Sequence, residues 1–281
     1  MTTRYYSVAR HVMALTAGDD IFALLDNCRP FEVTPSEPLI SVVIRENAPL
    51  PETWTEEWRQ EEEGDEIACG HSGGNPLFVF RSHGKMAGWM ECGSDYRRAT
   101  VYTGELPKLA IDNAMMIAFA LATAEMDTLL FHASVVCRGG KAYMFLGPSG
   151  TGKSTHTRLW LRYIDGSRLL NDDNPVVRIE ADGKAEVYGS PWSGKTPCYV
   201  NEHYPLGAIV RLRQAPHNAI RRMSPIEAYA TMASSVSGKR WEKNIADGLH
   251  RALNSLTATA WMWHMDCLPD EAAAKMTSST I

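Results

Sequence analysis

Residues 145–155 read FLGPSGTGKST and hold Gly147, Gly152, Lys153 and Ser154 at the spacing G-x-x-x-x-G-K-[ST], the pattern of a phosphate-cradling loop. A triphosphate carries several negative charges, and backbone N–H groups at the positive end of a helix are well suited to bind them. Glycine serves such a ring because it accepts positive φ and brings no side chain into it. The candidate nucleotide-binding segment is therefore Gly147, Pro148, Ser149, Gly150, Thr151, Gly152, Lys153, Ser154 and Thr155. Lys153 would reach the β- and γ-phosphates, and the Ser154 hydroxyl would complete a Mg²⁺ shell. The plainer alternative is a glycine turn that caps a helix.

Asp172 and Asp173, in LLNDDNP, follow about twenty residues after Lys153, at the end of an apolar strand, where a metal-holding carboxylate sits beside a phosphate loop. One carboxylate can hold Mg²⁺ while the other takes the proton of an attacking hydroxyl. Both belong to the candidate catalytic set with Lys153, and Asp172 joins Ser154 as a metal ligand. Turn chemistry between strands is the alternative. His132, in LLFHASVV, precedes the loop; it reads as a catalytic proton partner, a metal ligand, or a hydrogen-bonded core histidine. The segment GSPWSGKTP, residues 189–197, reads either as a substrate loop, with Trp192 as an apolar anchor and Lys195 meeting phosphate, or as a plain connection. Arg211 and Arg213 share one face of a strand and read either as groups that meet phosphate or another subunit or, more plainly, as exposed strand charges. Cys69, His71, His83 and Cys92 match no common zinc spacing.

These residues need elements to position them. The texture changes near Leu106-Pro107, which suggests a β-rich domain over residues 1–105 and a phosphate-loop, kinase-like domain over residues 106–281. In the first part, runs such as PLISVVIRE and NPLFVFRSHGKMAGWMEC read as strands, while PETWTEEWRQEEEGDE, with Trp54 and Trp58 at helical spacing, reads as a short surface helix or loop. Then come an apolar helix in LAIDNAMMIAFALATAEM, strands in TLLFHASVVCR and KAYMFL, and the loop helix KSTHTRLWLRYI. Further on, SRLLNDD is a strand, a hairpin turns at Asp182-Gly183, and Ser224 with Glu227 forms a capping box. Alternating strands and helices predict an α/β architecture.

The 281 residues are 44% hydrophobic with net charge −5, enough for one or two cores and without the basic footprint of a nucleic-acid binder. No apolar run approaches a membrane span or a signal peptide. Six irregularly spaced cysteines suit a reducing compartment, so a cytoplasmic protein with no membrane or nucleic-acid partner is expected. A homo-oligomer stays open.

The order of a histidine-bearing strand, GPSGTGKST and then LLNDD, together with the closing WMWHMDCLPDEAA, resembles the HPr kinase/phosphorylase family and its phosphoenolpyruvate carboxykinase-like relatives. The resemblance covers about residues 125 to 275. It implies a kinase in which Lys153 and Ser154 hold ATP and Mg²⁺, the aspartate pair supplies the base for a serine-type hydroxyl and part of the metal shell, and His132 lies close by. The acceptor would be a small protein, a peptide or a small molecule. The alternative is a nucleotide-gated regulatory module that binds or hydrolyses ATP without an acceptor. In either case Lys153→Ala is expected to abolish Mg-ATP binding in calorimetry while the circular dichroism spectrum stays unchanged.

Overall fold

Period-two alternation of apolar residues organises the N-terminal third into one mixed sheet. The computed structural model describes residues 1–194 and 196–281. Its strands there are β1 (Thr2–Val8), β2 (His11–Ala17), β3 (Glu32–Val33), β4 (Ile40–Arg45), β5 (Thr55–Glu62), β6 (Asp65–Ser72), β7 (Asn75–Ser82), β8 (Lys85–Cys92) and β9 (Arg98–Thr103). Their order across the sheet is β3-β1-β2-β4-β9-β8-β7-β6-β5. Strands β5 to β9 form an antiparallel meander, whereas β4 lies parallel to both β2 and β9. Within this sheet Trp89 stacks on Tyr102 with centroids 4.1 Å apart and donates from Nε1 to the Ala48 carbonyl at 2.8 Å.

The segment around Trp54 and Trp58 is not helical. It forms β5, an exposed edge strand that turns into β6 through Glu63 and Gly64, both at positive φ. A two-residue turn of that hand matches the twist of a hairpin, and the cross-strand pairs outweigh the helical spacing of the tryptophans.

Two short helical pieces, α1 (Asp19–Phe22) and a 3₁₀ turn (Asp26–Phe31), are followed by the long apolar helix α2 (Pro107–Ala122). The chain divides into compact units at Ala122/Thr123, one helix beyond the change of sequence texture. The reason is packing: a Cβ on Gly88 of β8 would lie 2.8 Å from the Ala110 Cβ of α2. Glycine opposite alanine lets the helix settle on the first sheet, so α2 lies with the N-terminal unit.

The second unit carries β10 (Thr128–Leu130), β11 (Ala133–Arg138), β12 (Lys141–Leu146), α3 (Lys153–Tyr163), β13 (Arg168–Asp173), β14 (Val176–Ile179), β15 (Ala185–Tyr188), β16 (His203–Gln214), β17 (Ala219–Arg222), α4 (Pro225–Ala233), α5 (Lys243–Thr259), β18 (Met262–Cys267) and α6 (Glu271–Thr280). The strand order β10-β14-β15-β16-β12-β11-β13 is extended by β18 on β16 and β17 on β18. Strands β12, β16 and β18 run parallel, and β11 runs against both β12 and β13. The C-terminal ends of β12, β13, β16 and β18 therefore meet the start of β11 along one edge. The whole is mixed α/β, and among the described residues no helix is long and apolar enough to cross a membrane.

Helices α3 and α6 cover one face over a core of Val136, Phe145, Trp160, Val210, Leu212 and Met265. Their seam is polar at one point. Thr277 of α6 accepts from Trp160 Nε1 at 2.9 Å and lies 3.1 Å from His156 Nε2. Burial pushes the His156 imidazole down to about 4 from 6.5. The unfolded chain thus binds a proton that the folded chain refuses, and the associated stability is full above pH 6.5 and lost as pH falls towards 4. Urea titrations are expected to lose up to about 3 kcal/mol over that window, with the slope reduced in His156→Gln.

Candidate functional site

Strand β12 ends at Leu146, the glycine loop follows, and α3 begins at Lys153. Gly147, Gly150 and Gly152 all have positive φ. A Cβ on Gly147 would come within 2.6 Å of Thr151 Oγ1 and 3.2 Å of the Leu212 carbonyl, whereas one on Gly150 would meet nothing within 4 Å. The loop is thus closed on its inner side and open at its tip. Thr151 braces it by donating from Oγ1 to the Pro148 carbonyl at 2.7 Å, and Gln214 at the end of β16 donates to the Gly150 carbonyl at 2.9 Å.

No side chain caps the start of α3. Gly152 at its N-cap makes no side-chain cap, and the first turn holds no acidic residue. By contrast α4 opens with the Ser224–Glu227 capping box and α6 with the Asp270 side chain. A helix start without a side-chain cap or an acidic residue in its first turn suits an anion at its positive dipole end.

Lys153 is 9% exposed and turns its ammonium onto the Gly147 carbonyl at 2.9 Å, the Pro148 carbonyl at 3.3 Å and His132 Nε2 at 2.9 Å. His132 Nδ1 lies 3.0 Å from Asp173 Oδ1. An ammonium only donates, so Nε2 must accept, and the ring carries its proton on Nδ1 and donates it to Asp173. The second Asp173 oxygen, Oδ2, accepts from Asn174 Nδ2 at 2.9 Å. His132 owes its place to a break that the sequence does not display: TLLFHASVV is two strands with different partners, β10 on β14 and β11 on β12 and β13. The histidine sits in the gap, with its N–H on the Ser235 carbonyl at 2.7 Å and its side chain 40% exposed.

The two aspartates face opposite ways. Asp172 is in register with Ser134, and Asp173 with Ala133. Ser134 Oγ donates to Thr157 of α3 at 3.1 Å, which puts Asp172 on the α3 side with Ser154, while Asp173 turns to the other side and His132. Asp172 is 4% exposed, against 32% for the Asp173 side chain. Burial, and then the charge of Asp172, push the Cys198 thiol up to about 11. Asp173 also has φ of 146°, a backbone region that costs a non-glycine residue on the order of 1–3 kcal/mol.

Residues 189–194 hold that turn in place. Asn171 is fully buried; its Oδ1 accepts from the Asn174 N–H at 2.8 Å and its Nδ2 donates to Ser190 Oγ and the Trp192 carbonyl, each at 3.2 Å. Ser193 Oγ and the Gly194 N–H both donate to the Asp172 carbonyl, at 3.1 and 2.7 Å. Trp192 is 4% exposed, so it is a packing residue, as in the plain-connection reading, and not an apolar anchor presented to an acceptor. Lys195 lies outside the described residues. Asn171 and Ser190 had no signal in the sequence, since neither belongs to a spacing pattern.

The sequence matches, over residues 103–254, the family described as SynChlorMet cassette protein ScmC. That is more than half of the chain. It belongs to the ScmC family. The matched stretch contains His132, the glycine loop, both aspartates and residues 189–197. No curated protein matches. The solved Hpr(Ser) kinase/phosphatase of Coxiella burnetii is similar at a TM-score of 0.32 and 10% identity, covering 53% of this chain and 91% of that one. The likeness to HPr kinases is distant, and the family shown for this chain is a different one.

The His132 tautomer is directly measurable. Nitrogen NMR shifts are expected to show Nδ1 protonated and Nε2 bare without nucleotide; Asp173→Ala is expected to keep that tautomer, because Lys153 still donates to Nε2, while the double variant Lys153→Ala/Asp173→Ala is expected to lose it.

Proposed function

We propose that the C-terminal unit is an ATP- and Mg²⁺-dependent phosphotransferase that moves the γ-phosphoryl group onto a serine-type hydroxyl of a small protein, a peptide or a small molecule. The observation that carries this reading is the chain of contacts from Lys153 through His132 to Asp173 at the mouth of the glycine loop, 2.9 and 3.0 Å long. A loop that only capped a helix would have no use for a carboxylate tied through an imidazole to its lysine.

In this reading the start of α3, which no side chain caps, and the loop N–H groups receive the phosphates of ATP. Lys153 leaves the Gly147 and Pro148 carbonyls and His132 for the β- and γ-oxygens. Ser154 and Asp172, on the α3 side of β13, would hold Mg²⁺, which supplies positive charge against the phosphate oxygens. Asp173, half-exposed and facing away from α3, receives the proton of the acceptor hydroxyl as its oxygen bonds to phosphorus and the β–γ bridging bond breaks to release ADP. His132 donates to Asp173 from Nδ1 and so orients the carboxylate. When Lys153 departs, Nε2 is free to take a hydrogen bond from water or acceptor. Asp172 is the poorer base because burial shields it from an incoming hydroxyl.

The aspartates should therefore separate kinetically. Asp173→Asn is expected to keep ATP affinity within a few-fold and to lower transfer, to water when no acceptor is supplied, by roughly 10²-fold. Asp172→Asn is expected to raise the Mg²⁺ concentration needed for nucleotide binding. Equal losses of binding and rate in both variants would show that both serve the metal alone. ATP bound but never cleaved by the wild type would point instead to a nucleotide-gated module.

A further inference from the structure

The sheet places a row of basic side chains beside the loop on the face that Asp173 shares. Leu146, the last residue of β12, is in register with Arg211 of β16. Arg211 is in register with His264 of β18, and His264 with Arg221 of β17. Val210 and Leu212 are buried in the core under α3, so Arg211 and Arg213 must point away from α3. Asp173 points the same way, by its register with Ala133 beside Ser134.

The members of this row differ in how they are satisfied. Arg213 makes a two-pronged pair with Asp266 at 2.6 and 2.8 Å, and Asp266 also takes His264 Nε2 at 3.0 Å. Arg221 is held by Glu227 at 2.8 and 3.2 Å. Arg211 is exposed, and among the described residues no carboxylate or other polar group is recorded as its partner. Three guanidinium groups against two carboxylates leave one positive charge over, and it falls on the arginine next to the loop strand.

We propose that Arg211 is the anchor of an anion subsite for the phosphoryl acceptor, so that the acceptor is a hydroxyl compound carrying a carboxylate several bonds from the hydroxyl. The inference rests on the phosphotransferase reading above. Arg211 and Asp173 are separated by β12 and β11, three strand spacings or about 14 Å between Cα atoms. The Arg211 side chain closes much of that gap, leaving room for a short linker between hydroxyl and carboxylate. A planar guanidinium with five donors and no partner among the described residues is suited to a two-pronged grip on a carboxylate. A small hydroxy acid and a serine flanked by acidic residues both have this chemistry.

The test is calorimetry on the full chain saturated with ADP and Mg²⁺, using four probes. Glycerate and acetyl-Asp-Ser-Asp-amide carry the anion; glycerol and acetyl-Asn-Ser-Asn-amide are their uncharged counterparts. At least one anionic probe is expected to bind roughly tenfold or more tightly than its neutral counterpart, and Arg211→Gln to remove that advantage with ADP affinity unchanged. Binding of glycerate alone identifies a small hydroxy acid, and binding of the peptide alone an acidic segment. The proposal is overturned if neither anionic probe outbinds its counterpart, if Arg211→Gln leaves the advantage intact, or if the variant weakens ADP instead, which would assign the guanidinium to the nucleotide. If the wild type binds neither ADP nor ATP, the phosphotransferase reading falls and this inference with it.

Discussion

A lysine ammonium has three donors and nothing to accept with, and the arrangement around the glycine loop follows from where this one points. Lys153 Nζ is held by two loop carbonyls and by His132 Nε2. That contact chooses the histidine tautomer, the tautomer aims an N–H at Asp173, and Asp173 is the carboxylate left accessible at the edge of the sheet. Substituting any member of this chain changes the hydrogen-bonding role available to the others.

The chain could not close without the sheet's directions. Because β11 runs against both β12 and β13, its first residues lie between the ends of those two strands. His132, just before β11, is thereby brought between a lysine that follows it by 21 positions and an aspartate further on still. Strand alternation then divides neighbouring carboxylates between two faces, one buried under α3 and one open. Two adjacent acids thus acquire different environments without any other charged residue being needed to distinguish them.

Buried polar groups outside the chain from Lys153 to Asp173 hold this region in shape. The Asn171 amide and Ser190 hydroxyl are buried and hydrogen-bonded on all the sides described, and they pin the turn that carries Asp173 at a φ of 146°. A strained residue persists only where its surroundings over-determine it. Here the loop over residues 189–194 does so, which gives that loop a role in placing the carboxylate even though Trp192 is turned into the interior.

The local sequence determined much of this on its own. The spacing of Gly147, Gly152, Lys153 and Ser154 dictates a strand, a loop and a helix, because glycine's φ range and the unpaired N–H groups of a helix start are local properties. The Ser224–Glu227 cap and the Asp182-Gly183 hairpin are local in the same way. Tertiary structure decided what depends on partners distant in the chain. It made a strand of the segment around Trp54 and Trp58, since pairing with β6 outweighs helical spacing, and it moved α2 to the N-terminal unit, since Gly88 admits Ala110. It also broke LLFHASVV at His132, turned Asp172 and Asp173 to opposite faces, and set Arg211 beside the loop. Each of these follows from strand register and side-chain packing, which no window of neighbouring residues contains.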